Sequence, residues 1–190
     1  MSLAGLVLAA GAGTRMGQPK ALVHDPEGDS WLVRGIETLR EGGCHHVTVV
    51  LGARAEEARA LVPPGVGVVV AGDWADGIAA SLRAGLVSLT ETDVGLEAAE
   101  AAVVTLVDLP DVTAEVVLRV VAAGAGATTL SRATYAGRPG HPVVLGRRHW
   151  TGVIGSVAGD RGARDYLATH DVAAIECGDL ASGRDQDTPV

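Results

Sequence analysis

The sequence predicts a single α/β domain built on a doubly wound, mostly parallel β-sheet, with helices on both faces and a small β-hairpin insertion. Short runs rich in valine, leucine and alanine alternate with segments whose apolar residues recur at helical spacing, which is the rhythm of successive strand–helix units. The first run leads directly into a glycine-rich loop. The 190 residues suffice for one full core and contain no Pro- or Ser-rich linker, so we assign residues 1–190 to one domain.

The first half of the chain supplies three of the predicted strands. The mostly apolar run at 3–10 suits a strand that is covered on both faces of a parallel sheet. A helix then places Leu32, Ile36 and Leu39 on one face, and Gly42-Gly43 ends it. The elements predicted in this half are a strand at 3–10, a helix at 31–41, a strand at 47–51, a short helix at 54–61 and a strand at 66–71.

The second half begins with a helix and later departs from the strand–helix rhythm. Thr113 is placed to cap a helix whose inner face consists of valines. Two short segments, at 128–134 and 141–145, flank Gly137-Arg138-Pro139-Gly140, which indicates a hairpin. The elements predicted in this half are a helix from 78, an acidic surface connection at 90–100, a strand at 102–107, a helix after Thr113, a hairpin at 128–145, a helix at 161–169 and a strand at 172–176.

The glycine-rich loop after the first strand has the composition of a phosphate site. Gly11, Gly13 and Gly17 allow positive φ and a close approach of the backbone, so that successive amide N–H groups can converge on an anion. Arg15 adds a planar fork for phosphate oxygens, and Lys20 adds a mobile point charge. The run therefore predicts phosphate binding, whereas three glycines alone would indicate only a tight strand-to-helix turn.

The spacing of this loop excludes two common phosphate-binding patterns. A Walker loop has its lysine directly after the last glycine and a hydroxyl residue next, but here Gln18-Pro19 intervenes and Ala21 follows Lys20. The dinucleotide fingerprint has one residue fewer between its second and third glycines and includes no basic residue. A nicotinamide oxidoreductase is therefore disfavoured.

Asp108 ends the fourth predicted strand and is a candidate metal ligand. Right-handed crossovers allow the strand order 3-2-1-4, which would place Asp108 opposite the glycine loop at the point where strand order reverses. Magnesium typically takes one or two carboxylates together with substrate phosphates. A lone aspartate at a strand end is more often a turn or cap residue, but opposite Arg15 and Lys20 we expect it to hold magnesium.

The run Leu8-Ala9-Ala10-Gly11-x-Gly13-x-Arg15-Met16-Gly17-x-Pro19-Lys20 resembles the signature of nucleotidyltransferases with a glycosyltransferase-A-like fold. It is most similar to the molybdenum cofactor cytidylyltransferase and guanylyltransferase group. The resemblance implies a Rossmann-like sheet of the nucleotide-diphospho-sugar transferase type, with Arg15, Lys20 and Asp108 as catalytic residues. The nucleotide-binding residues that we assign are Leu8, Ala9, Ala10, Gly11, Gly13, Thr14, Arg15, Lys20, Asp73 and Ser81.

The resemblance extends to two further kinds of site. Composition alone makes the segment at 185–189 a solvated tail, whereas relatives place a metal-binding carboxylate there, which we carry to Asp187 beside Asp108. The segments around Gly137 and Gly159 resemble the acceptor side of the cytidylyltransferase subgroup. The acceptor-binding residues implied there are Arg138, His141, Arg161 and Arg164, although His141 is also consistent with a hydrogen-bonded structural histidine.

The substrates implied by the resemblance are a nucleoside triphosphate and a phosphorylated acceptor. Leu8-Ala9-Ala10-Gly11 favours CTP over GTP, and molybdopterin carrying molybdenum is the expected acceptor, with a sugar phosphate or an alditol phosphate as the alternative. An apo-molybdoenzyme is a further expected partner. A non-catalytic nucleotide-binding or cofactor-binding chaperone remains the alternative of another class.

Composition and charge limit the remaining partners and the compartment. A net charge of −8 without a basic stripe argues against a nucleic acid polymer. No apolar run reaches membrane-spanning length, and the N-terminus lacks the basic start of an export signal. Cys44 and Cys177 are too few for a disulfide framework, so we expect a reducing cytoplasm.

Overall fold

The computed structural model describes residues 2–91 and 98–188. Seven strands form one sheet in the order β3-β2-β1-β4-β6-β5-β7. The strands are β1 (Leu3–Ala9), β2 (His46–Leu51), β3 (Gly67–Val70), β4 (Ala101–Leu106), β5 (Leu130–Tyr135), β6 (Arg138–Gly146) and β7 (Ala173–Glu176). The helices are α1 (Trp31–Glu41), α2 (Ala55–Arg59), α3 (Ile78–Glu91), α4 (Ala114–Ala122), α5 (Arg147–Ser156) and α6 (Arg164–Ala168).

Most strand pairs are parallel, as predicted. The pairs β1–β2, β1–β4, β2–β3 and β5–β7 run parallel, whereas β6 runs antiparallel to both β4 and β5. The predicted 3-2-1-4 order of the first four strands is confirmed. The predicted hairpin is β5–β6, and it extends the central sheet because β6 pairs with β4. β1 and β4 are neighbours in register, with Leu8 opposite Leu106, so the loops that follow them lie at one edge.

Helices cover both faces of the sheet. α1 and α4 pack on one face, where Ile36 and Val117 join Val7 of β1 in the core. α3 and α5 pack on the other face, where Leu86 and Trp150 join Leu6. All seven residues of β1 are buried. Alternate β1 side chains therefore enter opposite cores, which explains why its sequence is a nearly continuous apolar run.

The structure differs from the prediction in three details. The helix predicted at 161–169 is a short 3₁₀ turn, Gly159–Arg161, followed by α6. Thr113 occupies the N-cap position of α4, but its side chain makes no capping hydrogen bond. α5 was not predicted, because its sequence begins with charged residues and contains two glycines. In the predicted acidic connection, residues 92–97 lie outside the described part of the chain. None of the described helices is both long enough and apolar enough to cross a bilayer.

Candidate active site

The glycine loop that follows β1 takes the tight conformation that its composition predicted. Gly13 has φ of +59°, and a Cβ at this position would collide with the carbonyl oxygen of Gln18. Gly17 has φ of +79°. Only glycine adopts these conformations without strain. Gly11 is different, because it does not have positive φ. No atom would meet a Cβ at Gly11, which leaves its backbone open to approach from the cavity.

A cavity of about 610 Å³ lies at the ends of β1 and β4, a size typical of a small-molecule site. Among the predicted nucleotide-binding residues, those that line it are Leu8, Ala9, Ala10, Gly11, Gly13, Thr14, Arg15, Lys20 and Ser81. Asp73 does not line the cavity. It is exposed, and its carboxylate lies 3.5 Å from the guanidinium of Arg83.

The charged residues predicted at opposite sides of the cleft meet in one network. The Lys20 ammonium donates hydrogen bonds of 2.6 Å to Asp108 Oδ2 and to Asp187 Oδ1. Partial burial opposes the charge on Lys20, but these hydrogen bonds outweigh that effect and raise its pKa above the ordinary value. The hydrogen bond from Lys20 lowers the pKa of Asp187, and the charge of Arg15 acts in the same direction. Lys20 therefore stays a cation, and Asp187 a carboxylate, at neutral pH.

Arg15 extends the network toward solvent. Its guanidinium lies 2.5 Å from Asp187 Oδ2, but its side chain is 76% exposed. An exposed pair of this kind contributes little to stability. Arg15 is thus held at the mouth of the cavity and can turn to an incoming anion at small cost.

The acidic residues of the network have a donor set that fits a divalent cation. Carboxylate oxygens of Asp108, Asp185 and Asp187 all lie within 4.8 Å of one another. Asp108 Oδ1 is buried and has no hydrogen-bond partner among the described residues. A buried carboxylate oxygen without a partner is costly unless a cation or donor reaches it. Hard oxygen ligands of this kind suit magnesium or manganese. These residues therefore fit a metal.

The C-terminal segment reaches the site through a backbone contact. The amide of Gln186 donates a hydrogen bond of 2.9 Å to the carbonyl oxygen of Asp108. Ser182, four residues earlier, donates from its amide and its hydroxyl to Asp111 Oδ2 at 2.6 Å. These two attachments hold the segment against the loop after β4, which brings Asp187 to Lys20.

Several residues that line the cavity were not predicted as site residues. The turn at Trp74–Asp76 and the start of α3 form one wall of the cavity, through Trp74, Ala75, Gly77 and Ile78. Gly77 has φ of +104°, and a Cβ there would collide with Asp160, which also lines the cavity. Glycine at this position lets the 3₁₀ turn Gly159–Arg161 pack against the start of α3. The sequence signal for this wall is the Gly-Asp-Trp-x-x-Gly run at 72–77, of which only Asp73 is among the predicted site residues.

A second cavity of about 320 Å³ lies beside the first and shares Leu8, Ile78, Leu106 and Asp160 with it. Of the predicted acceptor-binding residues, His141, Arg161 and Arg164 line this cavity. Arg138 does not line it and is exposed at the start of β6. Arg161 is paired with Asp165 at 2.5–2.9 Å.

His141 is a partly buried residue with a strongly perturbed side chain. Burial, together with the charge of Arg132, lowers its pKa to about 4. Its backbone carbonyl accepts a hydrogen bond of 2.6 Å from the Tyr135 hydroxyl. The imidazole is therefore neutral at pH 7, and it lies at the wall of the second cavity.

The neutral state of His141 predicts a pH dependence of stability. The ordinary histidine pKa is about 6.5, so between about pH 6.5 and pH 4 the unfolded chain binds a proton that the folded chain does not. The free energy of unfolding should fall as pH is lowered through this window. Chemical denaturation at a series of pH values should show a shallower fall for His141→Gln. His46→Gln, at an exposed position, is the matched control. An unchanged slope in His141→Gln would contradict the assignment.

Comparisons with known proteins place this site in a family context. A family model described as "MobA-like NTP transferase domain" matches residues 5–174. "Nicotine blue oxidoreductase" of Paenarthrobacter nicotinovorans is 36% identical over 196 residues, covering 97% of this chain and 91% of the relative. "Probable molybdenum cofactor guanylyltransferase" of Rhodopirellula baltica is 38% identical over 64 residues, which is 34% of this chain and 30% of the relative.

A solved structure shares the fold over nearly the full length. The crystal structure of Rv0371c from Mycobacterium tuberculosis H37Rv has a TM-score of 0.80 and 30% identity, covering 99% of this chain and 93% of that chain. Its complex with manganese has a TM-score of 0.73 and 28% identity, covering 100% of this chain and 91% of that chain. The fold described above is thus a known one, and a divalent metal binds a structure similar to it.

Proposed function

The chain belongs to the MobA-like NTP transferase domain family, and from that premise we propose that it transfers a nucleotidyl group from a nucleoside triphosphate to a phosphorylated small molecule. The observation that carries this proposal is the meeting of Lys20, Asp108 and Asp187 at the wall of the cavity that the glycine loop forms. One cation and two carboxylates at a glycine loop suit a triphosphate and its metal.

The proposed reaction is an in-line displacement at phosphorus. A phosphate oxygen of the acceptor forms a bond to the α-phosphorus, the bond from that phosphorus to the bridging oxygen breaks, and pyrophosphate leaves with the electron pair. The attacking phosphate is already ionised at neutral pH, so no strong general base is required. Catalysis then consists of positioning and charge neutralisation.

The chain's own residues divide these tasks. The amides of the loop and Arg15 hold the β- and γ-phosphates, and Lys20 neutralises the charge that grows at the α-phosphorus. Asp108 and Asp187 would hold a divalent cation, magnesium or manganese. When bound, that cation supplies further neutralisation of the phosphates.

The nucleotide and the acceptor are the finer parts of the proposal. Leu8-Ala9-Ala10-Gly11 supports CTP, since this run accompanies CTP in the group that the loop resembles. The relative named as a guanylyltransferase supports the molybdenum cofactor as acceptor and keeps GTP as the alternative nucleotide, but its match spans only 64 residues. A sugar phosphate or an alditol phosphate is the alternative acceptor. A cofactor-binding chaperone without catalysis is the alternative of another class.

A second candidate function comes from the relative that matches most of the chain. It is named as an oxidoreductase of nicotine blue, so the same activity is the second candidate for this chain. The loop after β1 lacks the dinucleotide spacing, and two carboxylates around Lys20 have no evident role in hydride transfer. We therefore rank nucleotidyl transfer first.

One set of assays separates these functions. Pyrophosphate release is measured with each of the four common triphosphates, with magnesium or manganese, and with or without molybdopterin. We expect release that requires both molybdopterin and one triphosphate, CTP first. The same protein is tested for oxidation of a reduced nicotinamide in the presence of nicotine blue. Nicotinamide oxidation without any pyrophosphate release would overturn the proposal, and tight nucleotide binding without either activity would favour the chaperone.

A further inference from the structure

Arg132 is a candidate functional residue that belongs neither to the glycine loop nor to the cluster of Asp108, Asp185 and Asp187. It lies in β5, on the wall of the second cavity. Its Nε atom is buried and has no hydrogen-bond partner, and the side chain forms no ion pair among residues 2–91 and 98–188. A buried guanidinium nitrogen without an acceptor is costly. The fold therefore maintains an unsatisfied cation at a cavity wall.

The neighbours of Arg132 increase that cost. Burial and the nearby charge of Arg164 both lower the pKa of Arg132. The adjacent His141 is neutral and brings no compensating charge. Asp160 and Asp185 also line the cavity, but neither is within salt-bridge distance of Arg132. Two arginines on one cavity wall without a paired carboxylate form a site for an anion.

Apart from these charged residues, His141 and Arg161, the cavity lining is apolar. Side chains from β4, β6, α3 and α6 contribute it, namely Leu82, Val104, Val143, Leu145 and Leu167. A polyhydroxylated sugar would leave its hydroxyl groups without partners against these side chains, whereas a flat or apolar body would bury surface favourably. The lining therefore favours an organic anion with an apolar body.

The position of the cavity assigns it to the acceptor. It shares Leu8, Ile78 and Leu106 with the larger cavity at the ends of β1 and β4, where the triphosphate is proposed to bind. Asp185, on its wall, has a carboxylate oxygen within 4.8 Å of those of Asp108 and Asp187. A molecule in this cavity would thus lie next to the residues that neutralise the transferring phosphate.

We propose that Arg132, together with the more exposed Arg164, binds an oxyanion of the acceptor, and that the acceptor is an organic phosphate with a flat or apolar body rather than a sugar phosphate. The assignment of this ligand as the acceptor substrate rests on the proposed nucleotidyl transfer. The anion site itself stands on the geometry of the cavity. Arg132 is then a specificity-determining residue.

The first test measures binding without nucleotide, metal or turnover. Phenyl phosphate is the probe, benzyl alcohol provides the ring without the charge, and inorganic phosphate provides the charge without the ring. Titration is followed by NMR of the arginine Nε–H signals, in which the Arg132 signal is assigned by its loss in Arg132→Lys. We expect that signal to shift with phenyl phosphate, and affinity to fall about 10- to 100-fold in Arg132→Met, as for loss of a charged hydrogen bond. Arg148→Met, at an exposed position of α5, is the matched control and should bind as the unaltered chain does.

These titrations test the anion site at Arg132 and the apolar body of its ligand separately. Equal affinity of phenyl phosphate for Arg132→Met and the unaltered chain overturns the anion site. Inorganic phosphate binding as tightly as phenyl phosphate overturns the apolar body. If Arg132→Met does not fold, the shift of the Arg132 Nε–H signal in the unaltered chain and the affinity of Arg132→Lys give the answer.

A kinetic test separates this inference from the proposed function. With an active acceptor, Arg132→Met should raise the acceptor KM about 10- to 100-fold, while the triphosphate KM and kcat change little. An unchanged acceptor KM in an active enzyme overturns the role of Arg132 and leaves nucleotidyl transfer standing. Arg132-dependent binding of phenyl phosphate in a protein that releases no pyrophosphate with any triphosphate keeps the anion site and overturns the proposed function.

Discussion

Replacing Lys20 with alanine is expected to lower turnover by at least about 100-fold, the typical effect of losing one preorganised electrostatic donor. The ammonium lies 2.6 Å from both Asp108 and Asp187 at the wall of the cavity in which the proposed reaction would develop charge on phosphate. Its removal also leaves two carboxylates facing each other without the cation between them. The loss should therefore appear in kcat as well as in kcat/KM.

The composition of the chain makes this prediction unusually direct to check. Lys20 is the only lysine in the sequence, so amine-specific reductive methylation with labelled formaldehyde reports on this side chain and the N-terminal amine alone. The NMR signal of methylated Lys20 should move when triphosphate is added. Arg59→Ala, which removes an exposed cation from α2, is the control and should retain turnover. Near-normal turnover of Lys20→Ala in a folded protein would refute the catalytic role.

The sheet was predictable where its signals are local. β1 to β4 are apolar runs separated by helical segments, and right-handed crossovers leave few orders for them. The part that could not be predicted depends on long-range pairing. β6 lies between β4 and β5 and is antiparallel to both. The local sequence of a hairpin does not indicate which further strand the hairpin will pair with. α5 was not predicted because its arginines and glycines interrupt the apolar pattern of a buried helix face. Trp150 and Val153 of this helix are nevertheless buried against the sheet.

The site residues also fall into those that local sequence predicts and those that depend on long-range contacts. The loop glycines, Lys20 and Asp108 follow directly from strand ends and spacing, and the structure brings them together. Asp187 lies in a polar segment that resembles a solvated tail, and only the family resemblance selected it. Its placement depends on contacts between residues far apart in sequence, namely those of Gln186 with Asp108 and of Ser182 with Asp111. Arg132 was missed because one arginine in a strand is ordinary. Only the packed structure reveals that its Nε is buried without a partner.

Replacing Asp108 with asparagine is the second change expected to have a large effect. Asparagine keeps the size and shape of the side chain but removes its charge, so Lys20 keeps only Asp187 as a charged partner. The buried Oδ1 position, which has no protein partner among the described residues, loses its ability to attract a cation. We expect turnover to fall by at least about 100-fold, as for loss of an electrostatic contact to the reacting phosphates. Manganese binding in the presence of triphosphate, measured by calorimetry, should weaken in parallel.

The fold should survive this change because the carbonyl oxygen of Asp108, rather than its carboxylate, holds the C-terminal segment in place. Thermal unfolding of Asp108→Asn should therefore resemble that of Asp171→Asn, which alters an exposed aspartate between α6 and β7 and should retain both turnover and manganese binding. If Asp108→Asn bound manganese normally and still lost turnover, the carboxylate would act through Lys20 alone. If it retained turnover, the metal ligand would have to be sought in Asp185 and Asp187, and the arrangement across the cleft would not be the catalytic one.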